Sequence, residues 1–138
     1  MFSQTAEYAL RAVVHLAEEA GERPVRVGEI AQALDIPQNY LSKILYKLAR
    51  SGVLTSARGK TGGFQLAVPP ERLRLHSVIA PFDDIGERRQ CLLGRQQCSD
   101  RRACSAHARW KGVAEAMAAF VRETSVADVS RRMAGAAT

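Results

Sequence analysis

Residues 28–51 read GEIAQALDIPQNYLSKILYKLARS, and this stretch decides the fold of the 138-residue chain. Ile30, Ala31 and Leu34 have the spacing of one buried helix face. The following Asp35-Ile36-Pro37 predicts a tight turn, because aspartate tolerates a left-handed backbone and proline suits the first turn of a helix. A longer helical pattern then continues to the end of the stretch. A short helix, a turn and a longer helix together predict a helix-turn-helix.

The residues after this stretch predict a β-hairpin. Gly52 occupies the position of a C-terminal glycine cap. Phe64, Leu66 and Val68 alternate with polar or small residues, so we expect two short strands around the glycine-rich turn at 58–63. The expected fold class is therefore mainly α with a small β-wing, that is, a winged helix-turn-helix.

Helical spacing also flanks the winged unit on both sides. It begins at Ser3, whose hydroxyl suits an N-cap, and continues to Ala20. A short helix within residues 74–82 would be cut by Pro81. A long helix is expected from about Ala103 to Glu123, and a last short helix, capped by Ser125, is expected to run through Met133.

The charge of the chain favours an anionic partner. The formal net charge is +6 and the pI is about 9.7, which makes nucleic acid the first candidate and an anionic membrane surface the competitor. No apolar run approaches the roughly 18 residues of a membrane span, and the N-terminus lacks the pattern of a signal peptide. We therefore expect a cytoplasmic protein. No catalytic triad, phosphate loop or carboxylate pair indicates an enzyme.

Polar and basic side chains of the longer helix and of the hairpin turn are the predicted DNA contacts. Amide side chains pair with adenine, and lysine reaches guanine or phosphate. On the turn, glycines allow basic residues to approach phosphates or the minor groove. The alternatives are a solvated helix face, a plain basic hairpin, or a winged helix that binds protein. The predicted contacts are Gln38, Asn39, Tyr40, Ser42, Lys43, Lys47, Arg58, Lys60 and Thr61.

Three cysteines and a histidine within seventeen residues indicate a metal site. Cys91, Cys98, Cys104 and His107 have the spacing C-x6-C-x5-C-x2-H. Zinc fingers usually supply two close pairs of ligands, whereas this wider spacing suits an iron–sulfur cluster better. Three cysteines leave one ligand to be found. His107 lies one helical turn after Cys104, although a histidine there also suits a helix cap or a surface group.

The chain resembles the IscR/NsrR family of bacterial winged-helix regulators over nearly its whole length. The resemblance depends on the order and spacing of several motifs, and no single one of them is decisive. The motifs are Tyr8-Ala-Leu-Arg11, Ile30-Ala31, Tyr40-Leu-Ser-Lys-Ile44, Gly52-Val-Leu54, the turn at 58–63, the cysteine run, and Ser125-Val-Ala-Asp-Val129.

The resemblance implies a homodimer paired through the long helix, with a 2Fe–2S or 4Fe–4S cluster on the three cysteines. It implies a fourth ligand from the first helix of the other subunit, where Glu7 matches, or from a histidine that matches His107. Glu7 is also an ordinary first-turn acid favoured by the helix dipole. The implied organisation is a DNA-binding domain at 1–82, a cluster-binding loop at 83–104, and a dimerisation helix with its tail at 105–138.

These features predict a cluster-dependent transcriptional regulator, most simply a repressor, that senses nitric oxide, redox state or iron–sulfur status. Its dimer would bind double-stranded DNA at a palindromic operator, with two helices in successive major grooves. The alternative is a cluster-free regulator, which would be a thiol-redox switch or a zinc-stabilised DNA-binding protein.

Overall fold

Helices make up most of the described part of the chain, which in this computed structural model comprises residues 2–19, 23–60, 62–83 and 107–130. The elements are α1 (Gln4–Glu19), α2 (Val27–Leu34), α3 (Gln38–Arg50), β1 (Leu54–Ala57), β2 (Gly63–Leu66), α4 (Leu75–Ile79), α5 (His107–Glu123) and α6 (Val126–Val129). The predicted mainly helical fold with a small wing is confirmed. The three cysteines, Thr61 and the expected start of the long helix lie outside the described residues.

Helix α1 is the central support of the structure. Its inner face is fully buried, and three of its five buried side chains are alanines, which allow other helices to approach closely. Helices α3, α4 and α6 all pack against α1. The Ser3 hydroxyl accepts a hydrogen bond from the Ala6 N–H at 3.1 Å, which confirms the predicted N-cap.

The helix-turn-helix has the predicted turn. Asp35 lies in the left-handed region at φ 54° and ψ 51°, and it ends α2. Helix α3 begins directly after Pro37 and ends at a glycine cap: Gly52 has φ 84°, and the Val53 N–H donates to the Leu48 carbonyl at 3.0 Å. This is a Schellman motif, and it directs the chain from α3 into the wing.

The wing is a two-stranded antiparallel hairpin that is tied to the helix-turn-helix. Leu54 pairs with Leu66, and Ala57 pairs with Gly63. On its other side, Phe64 exchanges two backbone hydrogen bonds with Val25, each 2.8 Å long. Because Val25 lies just before α2, the wing and the helix-turn-helix form one packed unit.

The C-terminal elements return to the same core. Val121 of α5 and Val126 of α6 are buried, and the Leu75 N–H donates to the Thr124 carbonyl at 3.0 Å. Ser125 caps α6 as predicted, in a capping box with Asp128. The Ser125 backbone N–H that donates to Asp128, together with the Ser125 hydroxyl, holds the pKa of this carboxyl below its ordinary value.

The last helix is shorter than predicted. We expected it to run through Met133, but α6 ends at Val129 because Ser130 is extended at φ −78° and ψ 127°. Ser130 is fully buried and is the last described residue of the chain, and the rest of the predicted helix, through Met133, lies outside the described residues.

Gly63→Ala should destabilise the protein strongly. Gly63 has φ 142°, and a Cβ atom there would overlap the Val25 carbonyl group, so the substitution strains both the backbone and the contact between wing and helix. We expect the free energy of unfolding in urea to fall by about 1–3 kcal/mol or more. Gly112→Ala is the matched control: its Cβ atom meets nothing within 4 Å, and alanine should stabilise α5 by about 1 kcal/mol. Equal effects of the two substitutions would contradict this prediction.

Candidate nucleic-acid interface

The outer face of α3 forms the wall of two grooves beside the wing. The first groove, which we call the helix groove, lies between α3 and β1 and is lined by Asn39, Ser42, Lys43, Tyr46, Ala49, Arg50 and Ser56. The second, the wing groove, lies between the start of α2, the start of α3 and the hairpin turn. Its lining includes Arg26, Glu29, Gln38, Tyr46, Ser56, Arg58 and Gly59.

The side chains of the helix groove suit a nucleic acid, which offers charged phosphates and polar base edges. Asn39 offers an amide, Ser42 a hydroxyl, and Lys43 and Arg50 two cations. None of the residues lining this groove carries a carboxylate. Such a surface can pair with base edges and contact phosphates without a repelling negative charge.

Two of the predicted DNA contacts on α3 also attach this helix to the rest of the protein. The hydroxyl of Tyr40 forms a hydrogen bond with that of Thr5, and its ring packs edge-on against Tyr8 with centroids 5.6 Å apart. The Lys47 ammonium lies 5.2 Å from the centroid of the Phe82 ring. Tyr40 and Lys47 lie two helical turns apart, so they share one side of α3, whereas Asn39, Ser42 and Lys43 line the helix groove.

The hairpin turn is held in place by a residue far away in sequence. A guanidinium nitrogen of Arg26 donates to the backbone carbonyl of Lys60, across the wing groove. Both predicted basic contacts of the turn, Arg58 and Lys60, are exposed. The third, Thr61, lies outside the described residues.

Sequence reasoning missed several residues of these grooves, among them Arg26, Tyr46, Arg50 and Ser56. Tyr46 and Arg50 could have been found, because they continue the helical spacing of Asn39 and Lys43. No local sequence pattern indicated a role for Arg26, because its contact with Lys60 spans 34 residues.

The segment that leads to the cysteines is attached to the N-terminus of α1. The backbone N–H of Ser3 donates to the Asp83 carboxylate at 2.8 Å. The preceding residue, Phe82, lies under Lys47 of α3. The root of the predicted cluster-binding loop therefore contacts both the central helix and the predicted recognition helix.

The predicted cluster ligands are only partly within the described residues. Glu7 is exposed in the first turn of α1. His107 is the first residue of α5, and the placement of its side chain is not described. Cys91, Cys98 and Cys104 lie outside the described ranges. Within those ranges, no group of three or more His, Cys, Asp or Glu side chains could hold a metal ion, and no helix is long and apolar enough to cross a membrane.

Helix α5 presents two large apolar side chains to solvent. Val113 is 48% exposed and Phe120 is 53% exposed. They are seven residues apart, so they lie on one side of the helix. Trp110 and Met117 are half-buried on the same element.

Known proteins similar to this chain are regulators of transcription. A family model described as "Rrf2: Iron-dependent Transcriptional regulator" matches residues 2–132. An Aquifex aeolicus protein classed with the HTH-type transcriptional regulators is 34% identical, over 94% of this chain and 90% of that protein. The HTH-type transcriptional regulator IscR of Aliivibrio salmonicida is 27% identical, over 88% of this chain and 72% of its own length.

Solved structures share the fold, among them those of CymR and IscR. CymR, the global cysteine regulator of B. subtilis, superimposes with a TM-score of 0.79 at 21% identity, covering 94% of this chain and 95% of that chain. T. potens IscR superimposes with a TM-score of 0.75 at 22% identity, covering 100% of this chain and 88% of that chain. At this level of identity the likeness establishes the fold alone.

Tyr40→Phe should lower stability, because it removes the hydrogen bond to Thr5 and keeps the ring contact with Tyr8. We expect the free energy of unfolding in urea to fall by about 1 kcal/mol. Thr5→Val should have a similar effect, and the double variant should lose little more than either single one. Tyr46→Phe is the matched control. The side chain of Tyr46 is 56% exposed, so this substitution should leave the free energy of unfolding unchanged. Fully additive losses for Tyr40→Phe and Thr5→Val would contradict a shared hydrogen bond.

Proposed function

Since the chain belongs to the Rrf2 family of transcriptional regulators, we propose that it is a cytoplasmic, DNA-binding repressor whose operator affinity is set by an iron–sulfur cluster. The family consists of regulators and not of enzymes, as the sequence predicted. One observation carries the DNA-binding part of the proposal: α3 and the wing enclose a groove of amide, hydroxyl and cationic side chains with no carboxylate.

The shape of this surface supports a standard docking on duplex DNA. Helix α3 would enter the major groove, with Asn39, Ser42 and Lys43 toward the base edges. Arg58 and Lys60 of the wing would contact phosphates or the adjacent minor groove. Two copies would bind a palindromic operator as a homodimer, and the exposed apolar side of α5 supports a pairing through that helix.

The donor set fits an iron–sulfur cluster of the 2Fe–2S or 4Fe–4S type. Cys91, Cys98 and Cys104 would supply three soft thiolates, and Glu7 or His107 would supply the fourth ligand. The exposed position of Glu7 on α1 supports donation to a cluster held by another subunit. When bound, the cluster supplies a group that reacts with nitric oxide and oxygen and is lost when iron is scarce.

A series of contacts connects the start of the cysteine segment with the proposed DNA-binding surface. Asp83 holds the N–H of Ser3, and Phe82 contacts Lys47, so the root of this segment touches both α1 and α3. Helix α1 in turn holds Tyr40 through Thr5 and Tyr8. A displacement of the segment would therefore change the orientation of α3, and a difference of about 1–3 kcal/mol in DNA binding suffices for regulation.

Cys98→Ala should abolish the cluster. We expect the native protein, purified without oxygen, to be brown and to contain iron and sulfide, and the variant to lose its visible absorption. Comparing Glu7→Ala with His107→Ala identifies the fourth ligand, because only the ligand's removal should alter the spectrum. A native protein that holds zinc alone would support the cluster-free alternative. A colourless, iron-free protein whose DNA binding does not depend on the three cysteines would contradict the proposed cluster.

Lys60→Ala should weaken binding to every DNA sequence and reduce the slope of log affinity against log salt by about one, because one phosphate contact is lost. Asn39→Ala should instead cost about 1–3 kcal/mol on the operator and relax specificity at one base pair. Fluorescence anisotropy over a range of salt concentrations measures both effects. Arg72→Ala removes an exposed cation that lines neither groove and serves as the charge control. An unchanged salt slope for Lys60→Ala would remove this residue from the interface.

A further inference from the structure

Tyr46 forms a ridge between the two grooves of the DNA-binding surface. Together with Ser56 it lines both the helix groove and the wing groove. Its side chain is 56% exposed, so the ring and the hydroxyl are accessible to a partner that occupies the grooves.

The ring of Tyr46 has a rigid base. It packs edge-on against Phe64, with the ring centroids 5.2 Å apart and the planes at 80°. Phe64 is buried, and its backbone is fixed by the two hydrogen bonds with Val25. An exposed aromatic side chain that is already held in one position loses little conformational entropy when it binds a partner.

The position of this ridge matches one particular part of a bound duplex. If α3 occupies a major groove and the wing lies at the adjacent minor groove, a sugar–phosphate strand separates these grooves and must cross between the two elements. Tyr46 stands at that crossing. We infer that Tyr46 contacts the DNA backbone there, with its ring against a deoxyribose and its hydroxyl donating to a phosphate. This inference rests on the proposed DNA binding.

The charges on either side of the ridge suit such a strand. Arg50 lines the helix groove, and Arg26 and Arg58 line the wing groove. The carboxylate of Glu29 also lines the wing groove and is the one opposing charge among the residues that line the two grooves. Arg26 also donates to the Lys60 carbonyl, which ties the turn of the wing to the start of α2. A phosphate path across Tyr46 therefore runs between cations held on both sides.

The test compares Tyr46→Phe and Tyr46→Ala with the native protein on a random-sequence duplex and on an operator duplex. Losing the hydroxyl should weaken binding about fivefold on both duplexes, and losing the whole side chain should weaken it about tenfold or more. The salt slope should stay unchanged, because a neutral phenol releases no counterion. Tyr46→Phe should unfold at the temperature of the native protein, so its effect on binding cannot come from misfolding.

Each outcome decides the inference. If both Tyr46 variants bind the random duplex like the native protein while Lys60→Ala still weakens binding, the inference is overturned and the proposed DNA binding stands. If the loss appears on the operator alone, Tyr46 contacts a base and the assignment to the DNA backbone is wrong. If the native protein binds neither duplex in a salt-dependent manner, the inference and the proposed function fall together.

Discussion

The close approach of two backbone segments at Val25 and Phe64 is the constraint on which the DNA-binding surface depends. Their two hydrogen bonds join the wing to the start of the helix-turn-helix, and Gly63 is the residue that permits this approach. Gly63 and Phe64 of this junction line the wing groove, and the ring of Phe64 packs against Tyr46, which lines both grooves. A freely moving hairpin would present its cations at varying distances from α3. Here the distance is set by backbone geometry, so the surface is ordered before DNA arrives.

Helix α1 supports the opposite side of α3 in a comparable way. Its buried alanines allow α3, α4 and α6 to pack around it, and Thr5 and Tyr8 hold Tyr40 at the first turn of α3. The predicted recognition helix is therefore fixed on two sides, by the wing and by α1. Only its remaining side is open, and that side carries the side chains best suited to base edges.

Local patterns predicted the fold well, because they act through neighbouring residues in the chain. The Ser3 cap, the left-handed Asp35 and the glycine cap at Gly52 each depend on a few adjacent groups, and each is confirmed. The extent of α6 was wrong, since the backbone is already extended at Ser130, directly after Val129. The role of Arg26 was also not predictable from spacing, because it depends on which distant segments meet. Binding of a cluster by the three cysteines remains a prediction from the sequence and from the family resemblance.

The two attachments of α3 have different consequences for regulation. The wing is joined to the helix-turn-helix by the two backbone hydrogen bonds between Val25 and Phe64. On the other side, the apolar packing of α3 on α1 is supplemented by single side-chain contacts, Tyr40 with Thr5 and Lys47 with Phe82, while Ser3 with Asp83 joins α1 to the segment that leads to the cysteines. Such contacts contribute about 1 kcal/mol each and can be exchanged at small cost. A signal that acts on the cysteine segment would therefore alter α3 through its side-chain attachments first, while the wing stays in place. Regulation of this kind would change how α3 meets the DNA more than how the wing contacts the DNA backbone.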